Sequence, residues 1–153
     1  MKICILKETT QNEKRVALVP DVAKKLINDG FEVFIESGAG KQSDFSDEDY
    51  TGVGVTAAEA DKIIPNADII FSVKMPNIDS IKKMKAEACL IGLLNPYDNH
   101  EQLKALSENN VNAFSMELVP RSPRAQSMDV LSSQSNLAGY KAIVDSSSMF
   151  NRA

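Results

Sequence analysis

The sequence predicts a doubly wound α/β fold, in which a mostly parallel sheet forms the middle of three layers. Two observations indicate this class. Short apolar runs alternate with segments of helical periodicity, and several runs are nearly continuous, as in strands buried on both faces. Apolar residues make up 43% and charged residues 25% of the 153 residues, which is typical of a globular chain with one domain's worth of core.

The first predicted elements are a strand, a helix and a second strand. Residues 2–6 form a short apolar run. Pro20 suits the first turn of a helix, because its missing N–H would be unpaired there, and Leu26 continues the helical spacing until Gly30 ends it. In residues 31–36 the apolar side chains alternate with others, which is the periodicity of a β-strand.

Two short helices with a small strand between them are predicted next. Ser46 with Asp49, and Thr56 with Glu59, have the spacing of a capping box at the start of a helix. The valine-containing segment 53–55 lies between the two pairs and is predicted to be the strand.

The second half of the chain continues the alternation. Strands are predicted at 68–73, 88–94 and 111–116, and helices at 78–85, after residue 98 and at 132–150. We expect Asp98 to cap its helix, with Glu101 at the capping-box position. The last helix carries Leu137, Tyr140 and Val144 on one face.

Charge and hydropathy argue against two kinds of partner. The sequence has 17 Lys and Arg and 21 Asp and Glu, a formal net charge of −4, so no basic surplus is available for a nucleic-acid backbone. No apolar run approaches the roughly 20 residues that span a bilayer. We therefore expect no nucleic-acid partner and no direct membrane insertion of this segment, and the first residues show no secretory signal pattern.

Cysteine and histidine are too few for the common metal and catalytic centres. Cys4 and Cys89 each lie in an apolar run, which favours two buried thiols over a disulfide. His100 is the one histidine, so the sequence offers no His/Cys cluster for zinc and no evident general base. No metal site is expected.

Side chains that follow the strands are candidate ligands, because open parallel sheets bind ligands beyond the carboxyl ends of their strands. Arg15 and Lys74 are cations in such positions and together suit a carboxylate or a phosphate. The alternatives are a solvated turn of mixed charge around Arg15, or a generic domain that binds a small anion. Gly38 and Gly40 lack the third glycine of a phosphate loop, so the architecture is of the Rossmann or flavodoxin-like type without that motif.

The polar segment 121–135 fits neither periodicity and is the first candidate for function. It places Arg121, Gln126, Asp129 and Ser132 between the end of a strand and the start of a helix. Gln and Asp meet the donors and acceptors of a carboxamide, and Arg holds its oxygen or stacks on a ring, so this set suits an amide-bearing ring. The alternative is a surface loop in which Asp129 and Ser132 only cap the next helix.

Several motifs make the chain recognisable. The segment 124–142 contains Arg-Ala-Gln-Ser-Met-Asp, then Leu-Ser-Ser, then Asn-Leu-Ala-Gly-Tyr-Lys-Ala, and it resembles the α subunit of proton-translocating NAD(P) transhydrogenase. The segments 7–20 and 68–76 are similar to the wider superfamily shared with alanine dehydrogenase. The resemblance covers essentially the whole chain, and the Arg-Ala-Gln-Ser-Met-Asp loop is its most specific part.

The resemblance implies the N-terminal part of an NAD(H)-binding component with two Rossmann-like domains. Residues 1–131 correspond to the first domain, and 132–153 to the start of the helix that leads to the second, NAD-binding domain. In the intact enzyme hydride passes from NADH to NADP+, with NADP(H) on a partner component and with membrane-spanning components that couple transfer to proton translocation. A homodimer at the cytoplasmic face of the inner membrane is implied, whereas the 153-residue chain alone is expected to be inactive and to bind NAD(H) weakly or not at all.

Residue roles follow from the same resemblance. Arg121, Asp129 and Ser132 match residues that hold the nicotinamide carboxamide, and Gln126 matches the residue that reaches toward the NADP(H) ring. Gln126, Asp129 and Arg121 are thus the expected catalytic residues. The family commonly has a hydroxyl residue where Pro123 stands, which leaves the local loop geometry open.

Two other functions are possible. In alanine dehydrogenase the residues that match Arg15 and Lys74 grip the pyruvate carboxylate, but Asn95 stands here where the catalytic histidine is expected, so a proton donor would be missing. The third possibility is a non-catalytic interaction module that keeps the docking face alone.

Overall fold

The computed structural model of the chain describes residues 1–120 and 122–150. Contacts divide it into two compact units, Met1–Ser115 and Met116–Ala153. Each unit is described separately. The domain boundary predicted between residues 131 and 132 rests on the family resemblance, and it stays a prediction.

The first unit is built on one sheet of six parallel strands. They are β1 (Lys2–Ile5), β2 (Glu32–Glu36), β3 (Thr56–Ala58), β4 (Ile69–Lys74), β5 (Cys89–Leu93) and β6 (Asn112–Ser115). The spatial order is β3-β2-β1-β4-β5-β6, and every adjacent pair is parallel. The doubly wound prediction is confirmed, and the sheet is entirely rather than mostly parallel. Its order reverses between β1 and β4, where such sheets bind ligands beyond their carboxyl ends.

Helices follow the strands. They are α1 (Pro20–Asn28), α2 (Asp47–Thr51), α3 (Ala60–Ile63), α4 (Ile78–Lys83), α5 (His100–Glu108) and, in the second unit, α6 (Val130–Met149). Pro20 is the first residue of α1, and Ser46 with Asp49 forms the predicted capping box of α2. The predicted final helix begins two residues earlier than expected, at Val130.

Two hydrophobic clusters pack against the two faces of the sheet. One cluster joins Cys4, Ile70 and Leu90 to side chains of α3, α4 and α5, and the other joins Ile3 and Val33 to α1 and α2. These opposite faces give the three layers. Within the described residues both cysteines are free thiols, and burial raises the pKa of Cys4 to about 12, which keeps that thiol protonated and unreactive.

The predicted strand 53–55 and the predicted helix start at Thr56 are both wrong. The N–H of Val55 donates to the carbonyl of Tyr50, and Gly54 has a φ of +96°, so the segment closes the end of α2 as a turn. The strand begins instead at Thr56, which pairs with Phe34 of β2. Pairing with a neighbouring strand thus overrides the local capping-box spacing.

The predicted cap of α5 is also wrong. Asn99 occupies the N-cap position and makes no side-chain capping bond, because its amide donates to the carbonyls of Leu94 and Asn95. Asp98 accepts a hydrogen bond from the side chain of Asn95 at 2.7 Å. The polar side chains here tighten the loop after β5 rather than start the helix.

Candidate functional site

The loop that precedes α6 is organised by short-range hydrogen bonds. The N–H of Ala125 donates to the carbonyl of Ser122 at 3.0 Å, and the N–H of Met128 donates to the carbonyl of Ala125 at 2.9 Å. Gln126–Met128 is a single 3-10 turn. The segment is therefore a series of turns that leads directly into the helix.

Asp129 is the N-cap of α6. Its carboxylate accepts the backbone N–H of Ser132 at 3.0 Å and the hydroxyl of Ser132 at 2.6 Å. A capping aspartate at this position satisfies an N–H that has no partner within the helix, and its negative charge faces the positive end of the helix dipole. The capping role considered for these two residues is present, and it holds both side chains in one fixed arrangement.

A cavity of about 340 Å³ lies in this loop. It is lined by Val119, Pro120, Ser122, Pro123, Ala125, Gln126 and Asp129. Its volume falls in the range of small-molecule sites, and its lining combines apolar proline, valine and alanine with a few polar groups. An amide-bearing ring fits this lining, because the apolar side chains suit its faces and the polar side chains suit its carboxamide.

The predicted loop residues are only partly brought together by the described structure. Gln126 and Asp129 both line the cavity, while Ser132 lies beside Asp129 through the capping bonds. Gln126 is exposed at the start of its 3-10 turn. Arg121 lies outside the described residues, so its predicted role stays a prediction.

The two cations predicted to bind an anion both act on a carboxylate of the chain itself. Arg15 forms a bidentate pair with Glu13, with Nε to Oε1 at 2.8 Å and Nη2 to Oε2 at 2.7 Å. The hydrogen bonds from Arg15 lower the pKa of Glu13, and the charge of Lys74 lowers it further. The guanidinium of Arg15 is thus engaged by an internal carboxylate that has the same geometry as a carboxylate ligand.

Glu8 joins the ends of β1 and β4. Its two carboxylate oxygens accept the backbone N–H groups of Val73 and Lys74 at 2.5 and 3.1 Å. The pairing of β4 with β5 shifts register between Phe71 and Lys74, and the Glu8 carboxylate satisfies two N–H groups at this irregularity. Burial raises the pKa of Glu8, and the two hydrogen bonds oppose that effect only in part.

A smaller polar crevice of about 80 Å³ lies beyond the ends of β1 and β4. Lys7, Glu8, Ser72 and Lys74 are among its lining residues, whereas Arg15 is not. Of the two cations predicted to share an anion site, this crevice therefore contains Lys74 alone. Ser72 is buried, and its hydroxyl has no hydrogen-bond partner among the described residues.

The position where alanine dehydrogenase chemistry would need a histidine is a structural turn residue. Asn95 has a φ of +43°, a left-handed conformation that Asn tolerates better than most residues, and its amide nitrogen donates to Asp98. This arrangement stabilises the loop after β5 and supplies no proton donor of histidine's pKa.

Neither a metal-binding cluster nor a membrane-spanning helix is present in residues 1–120 and 122–150. Within these ranges no three His, Cys, Asp or Glu side chains are grouped as a metal-binding set. No helix of the same ranges is both long enough and apolar enough to cross a bilayer.

Sequence reasoning missed the internal partners of the charged residues. Glu8 and Glu13 are two more acidic residues of the mixed-charge segment that follows β1, and nothing in their spacing indicates that one accepts from β4 and the other binds Arg15. The two-residue separation of Glu13 and Arg15 is the only available signal. By contrast, the Asp129 cap can be predicted, because Asp three residues before Ser at a helix start is a local pattern.

Comparison with known proteins covers the whole chain. Residues 4–138 match the family described as "Alanine dehydrogenase/PNT, N-terminal domain". An NAD(P) transhydrogenase subunit alpha protein of Rickettsia prowazekii is 42% identical over 158 residues, which cover 100% of this chain and 41% of that relative. The crystal structure of transhydrogenase from Sinorhizobium meliloti has a TM-score of 0.93 at 40% identity, and the match covers 100% of this chain and 46% of that one.

Alanine dehydrogenase is a more distant relative. The enzyme of Halomonas elongata is 28% identical over 144 residues, which cover 94% of this chain and 38% of that relative. The chain thus spans less than half the length of each of these three relatives. From the family match over 4–138 and the fold it shares with a transhydrogenase, the chain belongs to the alanine dehydrogenase/PNT N-terminal domain family, and it is more similar to the transhydrogenase α subunit than to alanine dehydrogenase.

Proposed function

We propose that this chain is the N-terminal part of the NAD(H)-binding component of an NAD(P) transhydrogenase, and that the loop before α6 holds the nicotinamide. One observation carries the proposal. Asp129 and Ser132 are locked together beside a cavity of about 340 Å³ that Gln126 also lines. Arg121 is proposed to complete the carboxamide site.

The hydrogen-bonding direction of the pair suits a carboxamide. Ser132 donates its hydroxyl proton to Asp129, so its oxygen is left with lone pairs, and the Asp129 carboxylate consists of acceptors only. Both side chains therefore present acceptors, which match the NH2 group of a carboxamide. The carboxamide oxygen needs a donor, and the guanidinium of Arg121 has the required chemistry.

The same residues suit hydride transfer without an acid or base. A bound nicotinamide supplies the hydride-carrying carbon, and the protein has to position that ring against a second one. Asp129 and Ser132 fix the ring's orientation through its carboxamide. Gln126 is exposed beside the cavity, where its amide can donate to or accept from a partner's NADP(H) ring. Among the described residues that line the cavity, Asp129 is the one that titrates.

The assembly proposed for the intact enzyme follows the family. The chain would act as a homodimeric component with NADP(H)-binding and membrane-spanning components, at the cytoplasmic face of the inner membrane. Hydride transfer from NADH to NADP+ would then be coupled to proton translocation by the membrane-spanning components. The names of the relatives, an NAD(P) transhydrogenase α subunit among them, support this assembly.

The test is hydride transfer in the full enzyme assembled with this chain. We expect Gln126→Asn and Asp129→Asn to slow single-turnover transfer by up to about 100-fold, because a small displacement of a reacting ring has an effect of this size. NADH binding, measured separately, should weaken much less. Asp129→Asn keeps a capping oxygen, so a loss of transfer cannot be assigned to an unfolded helix start. Unchanged transfer in both variants would contradict the proposed roles.

The isolated 153-residue chain gives a second test. Its sequence has no glycine-rich phosphate loop, so we expect weak or absent NADH binding and no turnover. Micromolar binding in a titration would count against this expectation. A non-catalytic interaction module is the second candidate, and it predicts association with the NADP(H)-binding component together with no transfer in the full assembly.

A further inference from the structure

Pro123 occupies the second position of a reverse turn in the loop. The turn runs from Ser122 to Ala125 and is closed by the hydrogen bond from the N–H of Ala125 to the carbonyl of Ser122 at 3.0 Å. The hydroxyl of Ser122 accepts from the same N–H at 3.4 Å. Proline is favoured at the second position of common β-turns, because its ring presets the φ angle needed there, and serine is favoured at the first.

This turn is the first of several that overlap as far as α6. Ala125 accepts from the N–H of Met128, and Gln126 accepts from the N–H of Asp129 at 3.4 Å. Asp129 in turn accepts from Ser132. Each turn begins within the one before it, so the conformation at Pro123 determines where Gln126 and Asp129 lie relative to the cavity.

We propose that Pro123 is a positioning residue for hydride transfer, which orders the loop with Gln126 and Asp129 facing the cavity before any partner binds. The proposal rests on the proposed function of this loop. Pro123 itself lines the cavity. Its contribution is entropic, since a proline in a compatible turn reduces the number of conformations open to the unfolded loop.

Amide hydrogen exchange on the 153-residue chain measures the ordering directly. Pro123→Ala removes the ring and keeps a β-carbon, and we expect the protection of the Ala125 and Met128 amides to fall about two- to fivefold. Pro65→Ala is the matched control, because Pro65 also begins a turn, in the 3-10 helix Ile64–Asn66 of the first unit. Rates are corrected for the effect of neighbouring side chains on intrinsic exchange.

Two results would overturn the ordering role of Pro123. One is unchanged protection of Ala125 and Met128 in Pro123→Ala. The other is an equal loss of their protection in Pro65→Ala, which would indicate a global effect. A loss confined to the loop in Pro123→Ala supports the role.

The assembled enzyme then separates this inference from the proposed function. We expect Pro123→Ala to lower the rate of transfer at saturating NADH about two- to fivefold, in step with the loss of amide protection, and to leave the KM for NADH nearly unchanged. If Gln126→Asn slows transfer while Pro123→Ala does not, the positioning role is wrong and the proposed function stands. If Pro123→Ala loosens the loop and Gln126→Asn has no effect on transfer, the proposed function is wrong.

Discussion

Asp129 accepts two hydrogen bonds from Ser132, one from the backbone N–H at 3.0 Å and one from the hydroxyl at 2.6 Å. The two bonds make one structural unit of the residue that begins α6 and a residue in its first turn. Because the same two residues are the acceptors proposed for a carboxamide, helix capping and ligand recognition share one pair of side chains. Substitutions at Asp129 must therefore be designed to separate the cap from the charge.

Asp129→Ala and Asp129→Asn are expected to differ in their effect on the helix. Alanine removes the capping oxygen and should destabilise the first turn of α6 by about 1 kcal/mol, while asparagine is as good a cap as aspartate. Amide exchange of Ser132 and Ser133 in the 153-residue chain measures this difference. Equal exchange in the two variants would show that the cap contributes no stability, and Gln126→Asn is a control that leaves the capping atoms unchanged.

Glu8 and Glu13 are expected to titrate on opposite sides of the ordinary glutamate pKa of 4.5. Burial raises the pKa of Glu8, whereas the hydrogen bonds from Arg15 lower the pKa of Glu13. NMR titration of the side-chain carboxyl carbons measures both. In Arg15→Ala the pKa of Glu13 should rise, and in Lys83→Ala, which removes the pair with Asp61, it should stay where it is.

The two shifts have opposite effects on stability. The lowered pKa of Glu13 contributes stability that is present above its unfolded value and is lost as the pH falls through the folded pKa. The raised pKa of Glu8 contributes stability that is present below its unfolded value and is lost as the pH rises through the folded pKa. Arg15→Ala should therefore make the chain less sensitive to acid in the range below pH 4.5, and a steeper acid dependence would contradict the pairing with Glu13.

The helix and strand starts that depend on local chemistry can be predicted from the sequence. Pro20 begins α1 and Ser46 caps α2 because both preferences act within a few residues of chain. The prediction for Thr56 is wrong because its strand exists through pairing with Phe34, a distant partner along the chain whose register no local pattern contains. The prediction for Asp98 is wrong because neighbouring asparagine side chains compete for the same groups.

The candidate site divides in the same way. The capping geometry of Asp129 and Ser132 is a local pattern, and the structure shows it. The capture of Arg15 by Glu13 depends on which of several acidic residues near it lies within reach, and that choice is made by side-chain conformations after the sheet has formed. Two cations at strand ends thus suggest an anion site, whereas the guanidinium of Arg15 holds a carboxylate of the chain itself.

Tyr50 is expected to stabilise the first unit through one buried hydrogen bond. It is fully buried, and its hydroxyl donates to the carbonyl of Leu18 at 2.8 Å. Tyr50→Phe keeps the packing and leaves the buried Leu18 carbonyl without this donor, so we expect a loss of about 1–3 kcal/mol in the free energy of unfolding. Denaturant unfolding measures it, with Tyr97→Phe as the exposed control. Equal stability of Tyr50→Phe and the wild type would mean that water or another donor reaches the carbonyl.

Gly40 is required by close packing rather than by backbone conformation. Its φ is −80°, which any residue adopts, but a β-carbon there would lie 2.6 Å from Cε2 of Tyr50 and 2.8 Å from the carbonyl oxygen of Phe45. Because the Tyr50 ring is held by its bond to Leu18, Gly40→Ala should lower the free energy of unfolding by about 1–3 kcal/mol, the usual cost of overpacking. Gly139→Ala is the matched control, since no atom lies within 4 Å of its added β-carbon and alanine favours the helix by about 1 kcal/mol. Denaturant unfolding should therefore show a lower midpoint for Gly40→Ala and an unchanged or higher one for Gly139→Ala, and equal midpoints would mean that Tyr50 moves aside at little cost.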